Sequence, residues 1–191
     1  MALEVKIIGK TSEWQRAFAS VLRYEGGYVN DPRDSGGATN LGITQGTLDR
    51  ARALEFVAAA DVKDLTRSDA ERIYRRNYWE RFGCGSYAWP VNLVIFDSAV
   101  QHGAMPLIVQ RALRALGEEI AADGLWGPKT QAASVRQSCR GSASFAEEIL
   151  RQRAVYYRRI IEHRPDQRCF ETGWFNRLRR LAKDAGVEPP V

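Results

Sequence analysis

The chain has 191 residues, 45% hydrophobic and 27% charged, with 28 basic against 23 acidic side chains. That balance excludes extended disorder, and no run of about 20 uninterrupted apolar residues is present to insert into a membrane. Three widely spaced cysteines and only two histidines exclude a disulfide framework and a zinc site, so Cys84, Cys139 and Cys169 read as free thiols and no cofactor is expected.

Residues 1–11 read as a tail. Their short apolar run at 5–8 is interrupted by Lys6 and lacks a small-residue cleavage site, so no secretory signal is expected. Ser12 and Gln15 have capping-box spacing, and Trp14, Phe18, Val21 and Leu22 follow at helical intervals. The pattern predicts a helix over 13–25, stopped by Gly26 and Gly27. Residues 28–43 are rich in Pro, Asp, Ser and Gly, which suits a hairpin or small sheet. Thr44 caps a predicted helix to about 60. Asp64-Leu65-Thr66 introduces another, with Ile73, Tyr74, Tyr78 and Phe82 on its inner face.

Pro90 suits the first turn of a strongly apolar helix, 91–102, expected to be central and buried. Further helices are predicted over 106–116, from Lys129 after a Gly-Pro turn at 122–128, over 145–163 with Ile149, Tyr156 and Ile160 as its buried stripe, and over 173–185. The fold class is mainly α (α+β), with one small β-hairpin. Residues 1–103 carry 13 basic and 13 acidic groups, so the whole surplus of +5 falls in 104–191. That surplus suits an anionic polymer or a solvated face. No helix-turn-helix, zinc finger or RNA-binding motif appears, so nucleic acid is not an expected partner.

The most informative residues surround the hairpin. Glu25, placed on the last turn of its helix, would face unpaired carbonyls. Their negative potential, with partial burial, favours a protonated carboxyl, which is what a general acid requires. Gly26 and Gly27 leave room beside it for a bulky substrate. Asp34 lies in the hairpin turn and Thr39 on the returning side, so the chain can bring the three polar groups to one cleft. Two carboxylates across a cleft suit hydrolysis of a glycosidic bond, Glu25 protonating the leaving oxygen while Asp34 and Thr39 hold the water. Tyr28, Asn30, Thr44, Tyr78 and Gln101 are candidate substrate contacts. Tyr78 and Trp79 are adjacent on a helix, so one should be core and the other cleft. Asp97, inside an apolar helix, requires either hydrogen bonds to hairpin amides or a place on the cleft wall in contact with substrate. His102 reads as a helix-end residue.

The run EGGYVNDPRDSGGATNLGIT, residues 25–44, resembles the signature of the glycoside hydrolase 108 family of N-acetylmuramidases, a phage-endolysin-like branch of the lysozyme superfamily. Ile73-Tyr74 with Tyr78-Trp79, the run from Phe96 to Val100 ending at Gly103, and Gly173-Trp174-Phe175-Asn176-Arg177 extend the resemblance over about 12–184. It implies a lysozyme-like helical globule, Glu25 as the catalytic acid, and cleavage of the β-1,4 bond after N-acetylmuramic acid in peptidoglycan glycan strands. Glu25 and Asp34 also match the spacing of the Glu-Asp-Thr arrangement of phage-type lysozymes. Thr39 stands one position earlier than in that pattern, where Asn40 is found here. Asp123-Gly124-Leu125-Trp126-Gly127-Pro128-Lys129-Thr130 resembles the core of predicted peptidoglycan-binding modules; the plainer reading is a turn with Trp126 as a core anchor.

The expected organisation is a catalytic part over 12–103, a helical part over 104–185 packed onto it, and tails at 1–11 and 186–191. The expected protein is a monomer made in the cytoplasm, of phage or prophage origin, reaching the periplasm through a holin-type lesion or on lysis. Two other readings stay open at this point. A lytic transglycosylase uses the same acid without water, and a non-catalytic peptidoglycan-binding or secretion-assisting factor uses neither.

Overall fold

The computed structural model describes residues 12–30 and 37–190. Ser12 opens α1 (Glu13–Leu22): its hydroxyl accepts from the Gln15 amide, and the Gln15 side chain accepts from the Ser12 amide. Helix α1 buries Trp14, Ala17, Phe18 and Val21. It ends three residues earlier than its apolar pattern predicts. Tyr24 and Glu25 donate to the carbonyls of Val21 and Leu22 in two tight turns, so Glu25 stands just beyond the helix. Two reasons are visible. Gly26 and Gly27 are entropically costly in a helix, and Arg23 and Tyr24 are held from outside by Asp184.

The β element is a two-residue hairpin. Strand β1 (Thr39–Asn40) pairs antiparallel with β2 (Ile43–Thr44), Thr39 opposite Thr44. Leu41 and Gly42 between them both have positive φ, 51° and 73°, as a two-residue turn that matches strand twist requires. Val29 bridges to Thr39 through two backbone bonds of 2.8 Å. Asn40 donates to the Val62 carbonyl at 2.8 Å, anchoring the hairpin to the next segment.

Thr44 caps α2 (Gln45–Ala53), which stops well short of residue 60. Glu55 takes a left-handed φ of 57°, and the chain turns back to bury Val57 and Val62. The Gln45 side chain locks that return by bonding the Ala60 carbonyl and the Val62 amide. Thr66 and Asp69 form a capping box on α3 (Arg67–Tyr74), which widens into a π-helical turn over Arg75–Glu80. Within that turn Trp79 is buried and Tyr78 is half-buried.

Helix α4 (Val91–Gln101) is the axis of the molecule. Val91, Leu93, Val94, Ile95 and Phe96 have no exposed surface. Trp14 and Trp79 meet Phe96 edge-on at 5.5 and 5.7 Å between centroids, a favourable aromatic geometry. Around α4 lie α5 (Met105–Ala115), α6 (Pro128–His163) and α7 (Glu171–Ala185). Helix α6 is broken at Gly141, whose φ of −170° and ψ of 80° leave the helical region. Its buried stripe is Phe145, Ala146, Ile149, Leu150, Arg153, Ala154, Tyr157 and Ile161. The expected stripe through Tyr156 and Ile160 is therefore rotated by one position, because Arg153 turns inward to reach α4.

The fold is mainly α and lysozyme-like, with one continuous hydrophobic core running from Trp14 to Ala185. Among the described residues no helix is long and apolar enough to cross a membrane. The last helix also clasps the first. Asp184 accepts from Ser20 at 2.6 Å, Arg23 at 2.9 Å and Tyr24 at 3.0 Å. Burial, then the bond to Asp184, pushes the Tyr24 hydroxyl up to about 12. Asp184→Ala strands the buried Ser20 hydroxyl and frees the end of α1; it should cost about 1–3 kcal/mol in urea denaturation, and an unchanged midpoint would refute the clasp.

Candidate active site

Glu25 is carried on the turn after α1, with its side chain 15% exposed. Three elements converge on its carboxyl. From α7, Arg177 Nη1 donates to Oε1 at 3.1 Å. From the end of α4, Gln101 Nε2 donates to the same oxygen at 3.4 Å. From the hairpin turn, Gly42 leaves the space that Oε2 occupies: a Cβ there would lie 2.5 Å from Oε2 and 2.5 Å from the Tyr74 hydroxyl oxygen. Tyr74 in turn donates to the Leu41 carbonyl at 3.0 Å, tying the turn to α3. Burial first, then the neighbouring charge of Glu25, pushes the Tyr74 and Tyr78 hydroxyls above the ordinary tyrosine range. Both remain protonated donors at any working pH.

Arg177 is itself held by Asp97. Its Nε and Nη2 both donate to Asp97 Oδ2, at 3.1 and 2.8 Å, and Nε also reaches Oδ1 at 3.4 Å. Arg153 donates to Asp97 Oδ1 at 2.6 Å. Burial alone would raise the Asp97 carboxyl, but the two guanidinium groups prevail and hold it below the usual carboxylate range. Asp97 and Arg153 have no exposed surface, so the expectation that Asp97 contacts substrate is corrected. Its bonds go to two arginines rather than to hairpin amides.

Arg153 Nε also donates to the Tyr157 hydroxyl at 3.0 Å. The same hydroxyl shares a hydrogen bond of 2.7 Å with His102 Nε2. Burial, then the charges of Arg153 and Arg177, lowers the His102 pKa to about 3 against the opposing pull of Asp97.

Two cavities flank this cluster. One, of about 630 Å³, lies between Tyr78, Phe82, His102, Gly103, Leu125 and Trp126. The other, of about 420 Å³, lies between Tyr24, Gln101, Trp174 and Arg177. The last turn of α4 contributes to both. Of the other residues expected at the site, Tyr28 and Asn30 are exposed on the segment leading into the hairpin. Thr39 has its backbone fixed by the Val29 bridge. Thr44 is half-buried, and its hydroxyl accepts from the Thr47 amide as the expected cap of α2. Asp34 lies outside the described residues, as does the expected tail 1–11.

The model of the glycosyl hydrolase 108 family matches residues 18–103. A predicted peptidoglycan domain matches residues 105–179. The solved structure of Brucella abortus SagA is 30% identical, with a TM-score of 0.69, over 90% of this chain and 92% of that one. The chain belongs to the glycosyl hydrolase 108 family. It is therefore a glycoside hydrolase, and its second matched region makes peptidoglycan its ligand and substrate class. No curated protein matches the chain.

In this family 108 hydrolase the residues that sequence reasoning passed over are Arg177, Arg153, Tyr74 and Gly42. The first two left a signal, a charged residue on an apolar helical stripe, beside Leu178 and Leu181 in α7 and beside Ile149 and Tyr157 in α6. Gly42→Ala should reduce turnover at least about tenfold, because a left-handed turn position is strained for alanine and the added carbon collides with the Glu25 carboxyl. Wild-type turnover on purified peptidoglycan would count against that packing. His102 supplies a pH test. With its folded pKa below the unfolded value, its contribution to stability is complete above about pH 6.5 and is lost as pH falls toward 3. An NMR titration should find the ring neutral at pH 5, and His102→Asn should flatten the acid limb of stability; a ring that protonates near 6.5 in the folded protein would refute it.

Proposed function

We propose that the protein is an N-acetylmuramidase, cutting the β-1,4 bond between N-acetylmuramic acid and N-acetylglucosamine, with Glu25 as general acid. The observation that carries the reading is the position of the Glu25 carboxyl. It is largely enclosed and fixed by Gln101 of α4 and Arg177 of α7, both of which line the smaller cavity, and the larger cavity shares the last turn of α4. Together these cavities suit an extended glycan on either side of one scissile bond. Aromatic faces at Tyr78, Trp126 and Trp174 line them, as stacking on pyranose rings requires.

In the proposed reaction Glu25 gives its proton to the glycosidic oxygen as the C1–O bond breaks. A water held by Asp34 and Thr39 adds to C1 from the opposite face and loses its proton to Asp34. The sum is one water added per bond cut, with inversion at C1. Tyr28, Asn30, Tyr78 and Gln101 are the proposed sugar contacts.

Glu25→Gln removes the transferable proton and keeps the side-chain shape. It should bind sacculi, keep its circular dichroism spectrum and lose about 100-fold or more of its release of reducing ends. Wild-type-like release by this variant would refute the assignment. Fragment mass spectrometry on the unmodified enzyme tests the water step: hydrolysis gives fragments one water heavier than the 1,6-anhydro ends of a lytic transglycosylase, and the anhydro product would overturn the proposed role of Asp34 and Thr39.

A further inference from the structure

The C-terminal region matches a peptidoglycan domain, yet one of its side chains touches the proposed catalytic acid. Arg177, on α7, meets Glu25 across 152 positions of sequence. We propose that Arg177 is the positioning residue of Glu25, so that the C-terminal region completes the catalytic centre rather than serving only to hold the wall. This rests on Glu25 being the acid.

Geometry gives the first argument. A guanidinium presents its donors in a rigid plane. Arg177 commits Nε and Nη2 to Asp97, which leaves Nη1 directed at Glu25 Oε1. Asp97 is fixed in turn from behind by Arg153. The orientation of the acid is therefore set by a chain of bonds that starts in α6, crosses α4 and returns through α7. With Oε1 accepting from both Arg177 and Gln101, the transferable proton belongs on Oε2. That oxygen lies against Gly42, an exposed position, with the Tyr74 hydroxyl beside the same point.

Charge gives the second. Asp97 is already neutralised by Arg153. Adding Arg177, 12% exposed, leaves the group with one positive charge in excess. His102 and the nearby tyrosines, Tyr24, Tyr74, Tyr78 and Tyr157, are neutral and do not offset it. The excess is balanced when Glu25 carries a negative charge. That is the state reached when the proton moves from Oε2 to the glycosidic oxygen and the O–H electron pair stays on the carboxylate. A donor already in place where charge develops needs no reorganisation during the reaction.

Kinetics on purified peptidoglycan test the idea. Arg177→Ala should lower kcat about 100-fold and leave KM within about threefold. Guanidinium ion, well below denaturing concentration, should restore at least about tenfold of that loss by entering the vacated space. It should not help Glu25→Gln. A kcat within about threefold of wild type, or a loss that guanidinium leaves untouched in a folded variant, would overturn the proposal. Should Arg177→Ala not fold, Arg177→Lys keeps the charge but lacks the fork; a folded Lys variant with reduced kcat and unchanged KM supports the proposal, and one with wild-type kcat overturns it. The two ideas fail separately. An active Glu25→Gln defeats the assignment of the acid, whereas an inactive Glu25→Gln beside a fully active Arg177→Ala defeats only the role of Arg177.

Discussion

A carboxylate without contact with water, Asp97, holds two arginines that arrive from the far half of the chain. Burying such charges is expensive, and their mutual attraction offsets the loss of hydration only when the geometry is good. Here both oxygens of Asp97 are engaged, at 2.6 Å by Arg153 and 2.8 Å by Arg177. Deleting Asp97 would leave two guanidinium groups without their shared counter-charge in the core. The registry of α4 against α6 and α7 is thereby specified, which packing of interchangeable aliphatic side chains does less sharply.

That triad links fold to chemistry. Arg177 extends one donor past Asp97 to Glu25, and Arg153 extends another to Tyr157 and so to His102. The aromatic cluster of Trp14, Trp79 and Phe96 fixes the opposite side of α4. Between the two, the last turn of α4 is held rigidly enough for Gln101 to serve the same carboxyl. The hairpin contributes shape rather than charge, because its left-handed turn at Leu41 and Gly42 brings backbone, not side chain, against Glu25.

This arrangement changes the meaning of the division between residues 18–103 and 105–179. The two matched regions share one core, and α7 clasps α1 through Asp184. Trp126, in the motif resembling wall-binding modules, packs edge-on against Phe82 at 5.6 Å and lines the larger cavity. The motif thus both packs against the core and lines that cavity.

Local chemistry alone determined much of this protein. Caps at Ser12 and Thr66, the apolar run of α4, and the density of glycine around the hairpin act over a few residues, so the elements they specify are legible without any tertiary partner. Glu25 stood out as a candidate for the same reason, by its place between a helix and a glycine pair. Only the folded structure decided that α1 stops at Leu22, that α6 turns Arg153 inward, and that Asp97 faces two arginines instead of a sugar. Those outcomes depend on pairings between residues more than 50 positions apart. A buried charge advertises that a partner must exist; which partner it finds is settled when the helices pack.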